Sequence, residues 1–506
     1  MKVAPNLLNV PNKIIANIYS QNNKNRIKIY LSSHNNIMKL YIEILKLIFK
    51  KIIMKKNTGT VLKDFSENMG IVYIKLAQIL ATQNIGDIFT EDERVKLSGI
   101  CDNVNEISYR EIKKILKEEY GKNLYKTFRY IDRKPTASGS VSQVHRGILR
   151  NGDVVAIKIK RKDITENIDK DIKKIKKLIH RYAKIFKFGN IKGADLALDL
   201  YLDWIRQETD FKGEIKNIKI YEKYLNSVNE KIKDTKILKV PKLYEDYSTD
   251  NIIVMEYVKY KTINQMKLTK KNIKKITEAL NTYIKLNFWA MFHDEKIAFH
   301  GDPHSANLAL DDDGNLYFLD MGLLFVLEPK ESKLCRDFFL TIYKNNYEKL
   351  YNMLIIYANL NEKQKKKFKE NCKKYCNDVK DKNVTHYFID LITICLEFEF
   401  VPPSFLFNMA KAFICIYGIC TFTNNNVSAE KLLKNEITEF IIRKNINNIT
   451  KILNDTKNIE KEIIIDSITK IISNDTLKED TKVFIEDLEE LIEILLKKNL
   501  KLTNLL

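Results

Sequence analysis

The sequence predicts an α+β fold of two lobes, a small sheet-containing N-lobe followed by a mainly helical C-lobe, with a helical extension ahead of both. Three observations predict it. Asn151-Gly152-Asp153-Val154-Val155-Ala156-Ile157-Lys158 has the character of a strand. Leu308-Ala309-Leu310 and Leu316-Tyr317-Phe318-Leu319 read as two short strands joined by Asp311-Asp312-Asp313-Gly314-Asn315, whose acids and glycine suit a tight hairpin. Helical spacing of apolar residues marks 69–83, 199–221, 405–422 and the region beyond 427. The resulting division is a basic extension over 1–60, a helical region over 61–134, the N-lobe with a helical insert over 135–262, the C-lobe over 263–426 and an amphipathic helical region over 427–506.

The first acidic residue is Glu43, after Lys2, Lys13, Lys24, Arg26, Lys28 and Lys39. So acid-poor a start is either an organelle transit segment or a solvated extension. Ile37–Met54 is apolar and basic at helical spacing and either lies on a membrane surface or packs on the fold. Met69–Gln83 is a nearly continuous apolar helix pattern interrupted by Lys75 and Gln78, which at i and i+3 share a face. The lysine either snorkels to solvent or is held by a buried carboxylate.

Pro135–Val144 is a run of small residues, and Ala137, Ser138, Gly139, Ser140 and Val141 allow close approach of backbone to a ligand. With one glycine, the loop is expected to be stiff, because a Cβ at the other positions restricts the backbone. In the strand that follows, alternation puts Ala156 and Lys158 on one face. A small residue there leaves room for an adenine ring, and a lysine two positions on reaches phosphates; taken alone, the run is an amphipathic strand with an exposed lysine. Asp199–Tyr221 is expected to be a helix carrying Glu208, Asp210 and Glu214. At about 100° per residue, Asp210 and Glu214 share a face and Glu208 lies roughly 120° from Glu214, so two different partners are implied, unless these are solvated surface acids.

Phe299-His300-Gly301-Asp302-Pro303-His304-Ser305-Ala306-Asn307 is followed, thirteen residues past the asparagine, by Asp320-Met321-Gly322. Phosphoryl transfer requires hard oxygen ligands for Mg²⁺ and a carboxylate facing the attacking group. Asp302 to Asn307 supplies the D-x-x-x-x-N step, with Asp302 as candidate base or water-orienting acid, Asn307 as a metal ligand and Asp320 as the principal one. The hairpin between them returns Asp320 beside Asn307. Pro303 breaks the helix that would set His300 and His304 on one face as a metal pair, so these histidines frame the loop. The acidic run at 311–313 lacks the spacing of a calcium loop and reads as a solvated turn.

On these motifs the chain resembles the UbiB/AarF (ADCK) family of atypical kinase-like proteins, in order and spacing from about Gly70 to Gly418. Lys75-Leu76-Ala77-Gln78 matches the family's K-x-G-Q, Ala137-Ser138-Gly139 its alanine-rich loop, Lys158 its nucleotide lysine, Glu208-Thr209-Asp210 its E-x-D and Glu214 its helix glutamate. The resemblance implies a protein-kinase-like fold that binds ATP with Mg²⁺. Lys158 acts with Asp302 in catalysis, and Ala137–Val141, Ala156, Lys158, Glu214 and Glu256 form the nucleotide site. It further implies that Lys75 pairs with Glu208 and Lys158 with Glu214, and that Lys75, Gln78, Glu208 and Asp210 form a regulatory element over the site where a peptide would dock. The sequence departs from the family at Ala77, Gly139 and Met321, none of which removes a charged or metal-binding residue.

Only Leu323–Glu328 separate Gly322 from Pro329, which suits the first turn of a new helix, and no Ala-Pro-Glu element follows. A chain with so short an activation segment lacks a platform for a peptide, so the expected acceptor is water, a small molecule or a lipid. The expectation is an atypical kinase or ATPase supporting ubiquinone or other isoprenoid-lipid metabolism. The alternative is a catalytically weak pseudokinase acting as a nucleotide-switched lipid-binding or scaffold module, with Ser/Thr protein phosphorylation ranked last. The net charge of +21 follows a lysine-rich bias throughout the 506 residues, and places peripheral contact with anionic membrane ahead of nucleic acid, for which no base-reading motif appears. Seven cysteines in a chain without a secretory signal are expected to be reduced and mostly buried. Phe405–Phe422 is apolar but interrupted by Asn408 and Lys411, and reads as a buried lobe helix. A mitochondrial or other organelle membrane is the expected location, the cytoplasm the alternative, and secretion is not expected.

Overall fold

An Asn-Gly pair at 151–152 turns the chain between the strands Ser142–Leu149 and Val154–Lys160 in the computed structural model of the chain. The structure describes residues 106–162, 168, 170–177, 180, 191–232, 237–293, 295–379, 382–425 and 427–455, together with helical residues 60, 64–66, 69 and 72–74. Lys75, Ala77 and Gln78, the segment Ile37–Met54, Cys101 and the chain beyond 455 lie outside the described residues. The chain divides into two compact units, one drawn from the residues up to Gly147 with Ile157–Gly189 and Tyr201–Thr209, the other from Ile148–Ala156, Asn190–Leu200 and the residues from Asp210 on.

In the first unit, helix α1 (Tyr109–Tyr120) starts where the Ser108 hydroxyl accepts from Glu111 N, and it buries Ile112, Ile115 and Leu116. Strands β1 (Phe128–Ile131), β2 (Ala137–Ser138) and β3 (Ser142–Leu149) follow, with β2 antiparallel to β3 and Ala137 opposite Val144. Gln143 and His145 are buried on β3. The Gln143 amide makes a two-bond pair with the backbone of Ile107, its Oε1 2.7 Å from Ile107 N and its Nε2 3.1 Å from Ile107 O. Gly147 permits the sheet's close packing, because a Cβ there would sit 2.7 Å from Ile157 Cδ1 and 3.3 Å from Tyr130 O. In the larger sheet β3 lies between β1 and β4 (Val154–Lys160), with β2 beside β3.

Strand β4 runs over Val154–Lys160, three residues later than the sequence run beginning at Asn151. Asn151–Asp153 form the turn instead, with Gly152 at φ +95°, a conformation glycine adopts at no steric cost. Helix α2 (Ile191–Glu208) and helix α3 (Phe211–Ile232) replace the single helix expected over 199–221. Thr209 ends the first, its hydroxyl donating back to Arg206 O at 2.9 Å. Asp210 begins the second, its backbone O accepting from Glu214 N at 2.9 Å.

In the second unit, β5 (Leu238–Lys239) runs parallel to β9 (Leu316–Phe318), which pairs antiparallel with β8 (Leu308–Leu310). Strand β6 covers Ile252–Glu256, and β7 (Ile297–His300) pairs antiparallel with β10 (Leu324–Leu327), His300 opposite Leu324. The rest is helical: α4 (Lys270–Phe292), α5 (Pro329–Tyr343), α6 (Tyr347–Ile355), α7 (Glu362–Asp378), α8 (Val384–Glu397), α9 (Ser404–Thr423) and α10 (Ala429–Asp455). Pro329 occupies the first turn of α5 beside a Glu328/Glu331 capping box. Aromatic rings make the core: Phe288 lies 5.7 Å from Phe339 and 5.8 Å from Phe413, and Phe388 also stacks on Phe413 at 5.7 Å. Among the described residues α9 alone is long and apolar enough to cross a membrane, and 56% of that span is buried within the protein.

Candidate functional site

Strand β7 delivers the loop at His300, which is fully buried. Its Nδ1 accepts from Asp302 N at 3.0 Å, its Nε2 donates to Asp320 O, and its ring stacks on Phe318 at 5.4 Å. A ring accepting at one nitrogen and donating at the other is neutral, and burial, outweighing the Asp320 hydrogen bond and the nearby carboxylates, pushes its pKa down. With both nitrogens engaged, His300 joins the Asp302 loop to the Asp320 loop and is not a metal ligand. His304 accepts from Ala306 N at 3.2 Å and likewise shapes the loop. Gly301 lets the chain turn under Phe325, since a Cβ there would stand 2.1 Å from the Phe325 ring.

Asn307 closes the same loop. Its Nδ2 donates to Asp302 O at 3.1 Å, and its backbone O accepts from Leu319 N at 2.8 Å. Asp320 Oδ1 accepts from Gly322 N at 2.9 Å. Two side chains of α3 then hold the next residue by both of its backbone groups: Glu214 Oε1 accepts from Met321 N at 3.1 Å, and Asn217 Nδ2 donates to Met321 O at 2.9 Å. The Asp302 carboxylate is gripped from α9. Lys411 Nζ lies 3.5 Å from Oδ2, and Cys415 Sγ donates to Oδ1 at 3.2 Å. Both Asp302 and Lys411 are mostly buried, so this pair is little screened.

In the first unit, Lys158 is 5% exposed and is not the solvated lysine of an amphipathic strand. The Ala137–Val141 loop is held by Arg161, whose Nε donates to Gly139 O at 2.9 Å and Nη2 to Ser138 Oγ at 2.8 Å. Gly139 N in turn donates to Ser142 O at 2.8 Å. Glu208 closes α2, and in that helix the hydroxyl of buried Tyr201 donates to Val72 O at 2.6 Å. In the second unit, Glu256 ends β6 with its Oε2 accepting from Lys242 N at 3.2 Å, and Ala156 is buried on β4.

Residues 99–354 match the model of the ABC1 atypical kinase-like domain, which is half of the chain. The chain belongs to the ABC1 atypical kinase-like family. Its α+β architecture is the kinase-like one expected of that family. Among curated relatives, it is similar to the protein named ACTIVITY OF BC1 COMPLEX KINASE 7, chloroplastic, of Arabidopsis thaliana, at 26% identity over 60% of this chain and 42% of that protein. It is also similar to an uncharacterized protein in the hydrogenase 1 5′ region of Clostridium pasteurianum, at 30% identity over 60% of this chain and 54% of the relative. The chain thus spans about half the length of the curated relatives it matches. Among solved structures, the erythromycin complex of Rv3197 from Mycobacterium tuberculosis resembles it at 17% identity with a TM-score of 0.44, over 78% of this chain and 98% of that one.

Several residues of this ABC1 chain stand apart from what the sequence predicts. Asp210 and Glu214 stand one turn apart at the start of α3, Asp210 exposed and Glu214 1% exposed. Glu208 does not share a continuous helix with Glu214, because the break at Thr209 lies between them. Asp311 is not part of a solvated turn either, being 8% exposed and accepting from Asn315 N, Asn315 Nδ2 and Asp313 N. Burial alone would raise its pKa, but the Asn315 and Asp313 hydrogen bonds and Lys239 outweigh it and leave the carboxyl below its usual range. Lys411 and Cys415 as partners of Asp302, Asn217 on Met321 and Arg161 on the small-residue loop were all missed by sequence reasoning. Lys411 carried a signal, since it is the single charged residue in the twenty of α9. The thiols of Cys335, Cys372, Cys376 and Cys395 are buried, and burial pushes Cys372 up to about 12; Cys415 and Cys420 are partly exposed.

Proposed function

We propose that the chain is an ATP-dependent atypical kinase or ATPase whose acceptor is water, a small molecule or a lipid, in support of ubiquinone or isoprenoid-lipid metabolism at an organelle membrane. The supporting observation is the construction around Asp302: its backbone is tied to His300 and Asn307, its carboxylate to Lys411 and Cys415. A carboxylate held by two side chains on a backbone that is itself fixed at both ends suits a base that takes a proton from an attacking hydroxyl.

Asn307 and Asp320 supply hard oxygen donors from two loops joined by the Leu319–Asn307 hydrogen bond, a donor set that fits Mg²⁺. In this reading Asn307 and Asp320 hold the ion, which when bound neutralises phosphate charge. Lys158 and Glu214, with Ala137–Val141, Ala156 and Glu256, hold the nucleotide, and Lys75, Gln78, Glu208 and Asp210 regulate access. His300 keeps Asp302 and Asp320 in register and moves no proton. Peripheral contact with anionic membrane is part of the same proposal.

The test is Mg²⁺-dependent ATP consumption by the purified full chain, wild type against Asp320→Asn. Loss of one metal-binding carboxylate is expected to lower turnover on the order of 10³-fold, about 4 kcal/mol of transition-state stabilisation. Equal turnover in the two proteins would remove Asp320 from the site.

A further inference from the structure

We propose that the acceptor binds along one face of α9, with an apolar body lying over Gly418 and Phe422 and a hydroxyl directed at Asp302. This deepens the proposed function and rests on it. Lys411 and Cys415, the two side chains that contact the Asp302 carboxylate, are one helical turn apart. At about 100° per residue the same face continues through Gly418 and Phe422, all four residues falling within an arc of about 60°. Exposure rises along it: Lys411, Cys415 and Gly418 are partly buried, and Phe422 is 49% exposed. The stripe therefore leads from the carboxylate to the surface, roughly 10 Å of helix separating Cys415 from Phe422.

Gly418 is the observation that makes this stripe a binding surface. Among the described residues, a Cβ built there meets no atom within 4 Å. Neither close packing nor a positive φ accounts for glycine at this position, and alanine would favour the helix. The missing side chain leaves room directly along the line from Asp302. Phe422 offers an apolar edge at the outer end, whereas a peptide substrate would call for backbone hydrogen-bonding partners that a helix face does not provide. The class that fits is an alcohol with an elongated apolar body.

In the transfer step the acceptor O–H gives its proton to Asp302 while its oxygen bonds the γ-phosphorus of ATP. The bond from that phosphorus to the β,γ-bridging oxygen breaks, its electron pair leaving with ADP, and Asp302 later loses the proton to water. Lys411 is the positioning residue that keeps the Asp302 carboxylate anionic and aimed.

Cys415 reports occupancy without any need for turnover. The full chain is alkylated with iodoacetamide, and labelling of each cysteine is followed by peptide mass spectrometry with decanol, decane or glycerol present. At ten times its half-saturating concentration, decanol is expected to slow labelling of Cys415 roughly 10-fold, leaving Cys420, half a helix turn around, unchanged. Equilibrium dialysis with tritiated decanol supplies a second readout independent of thiol reactivity, and Gly418→Leu, which fills the open space, is expected to abolish the binding. Protection by decane equal to that by decanol, equal protection of Cys420, or unchanged decanol binding in Gly418→Leu would each overturn the assignment. Failure of the ATP reading would show separately, as absent Mg²⁺-dependent turnover in a protein that still binds decanol.

Discussion

Gly301→Ala tests how the Asp302 loop is built. The added Cβ would stand 2.1 Å from Phe325 Cε2, 2.8 Å from Cδ2 and 2.9 Å from Cζ, so three ring atoms lie inside contact distance. Phe325 is itself 7% exposed, sits on β10 opposite Phe299, and packs on that ring at 5.5 Å. The ring therefore has little room to yield, and overpacking of this kind costs about 1–3 kcal/mol. Backbone displacement would also move Asp302, the next residue, and a shift near 1 Å at a reacting group lowers turnover on the order of 10²-fold. Phe325→Leu removes the ring at a cost of about 1 kcal/mol, and in that background Gly301→Ala should be nearly neutral. Urea unfolding of the two single variants and the double variant gives the coupling energy, expected to be at least about 1 kcal/mol in the direction of rescue. Strictly additive losses, or a Gly301→Ala protein as stable and active as wild type, would show that the glycine is not there for the ring.

Glu214→Ala should destabilise by about 1–3 kcal/mol because Met321 N loses its acceptor in a buried place, while Glu214→Gln keeps an acceptor oxygen and should cost less; urea unfolding distinguishes them. Burial lowers the pKa of His145, His293 and His300, so each binds its proton more readily in the unfolded chain. The stability they contribute is complete above the ordinary histidine value of 6.5 and is lost as pH falls below it toward the folded values. Unfolding free energy measured from pH 7.5 downward should therefore decline by up to about 1.4 kcal/mol per pH unit for each histidine, and His300→Gln should flatten that slope.

What the sequence made legible was whatever rests on local chemistry. The Asp302–Asn307 spacing, the hairpin that returns Asp320, and Pro329 opening a helix are all set within a few residues, and each stands where its neighbours dictate. Turn chemistry was undervalued at Asn151-Gly152, where positive φ delays the strand by three residues. Helical periodicity was overvalued at Glu208–Glu214, because a regular spacing of acids does not reveal that the Thr209 hydroxyl competes for the backbone and stops the helix. Asp311 shows the same limit in reverse: acidic neighbours suggest solvent, yet three hydrogen-bond donors from Asn315 and Asp313 satisfy a buried carboxylate.

Lys411 marks where a sequence argument could have gone further. An ammonium group within a helix of apolar residues is costly unless it finds a carboxylate or reaches water. The same α9 face turns toward Asp302, so the interruption is the part of the helix that belongs to the site, and the apolar remainder, through Phe405, Met409 and Phe413, belongs to the core. A charge that spoils a candidate membrane span is thus better read as a search for its partner. In a chain that already offers Asp302 in a histidine-framed loop, few carboxylates could compete for that role.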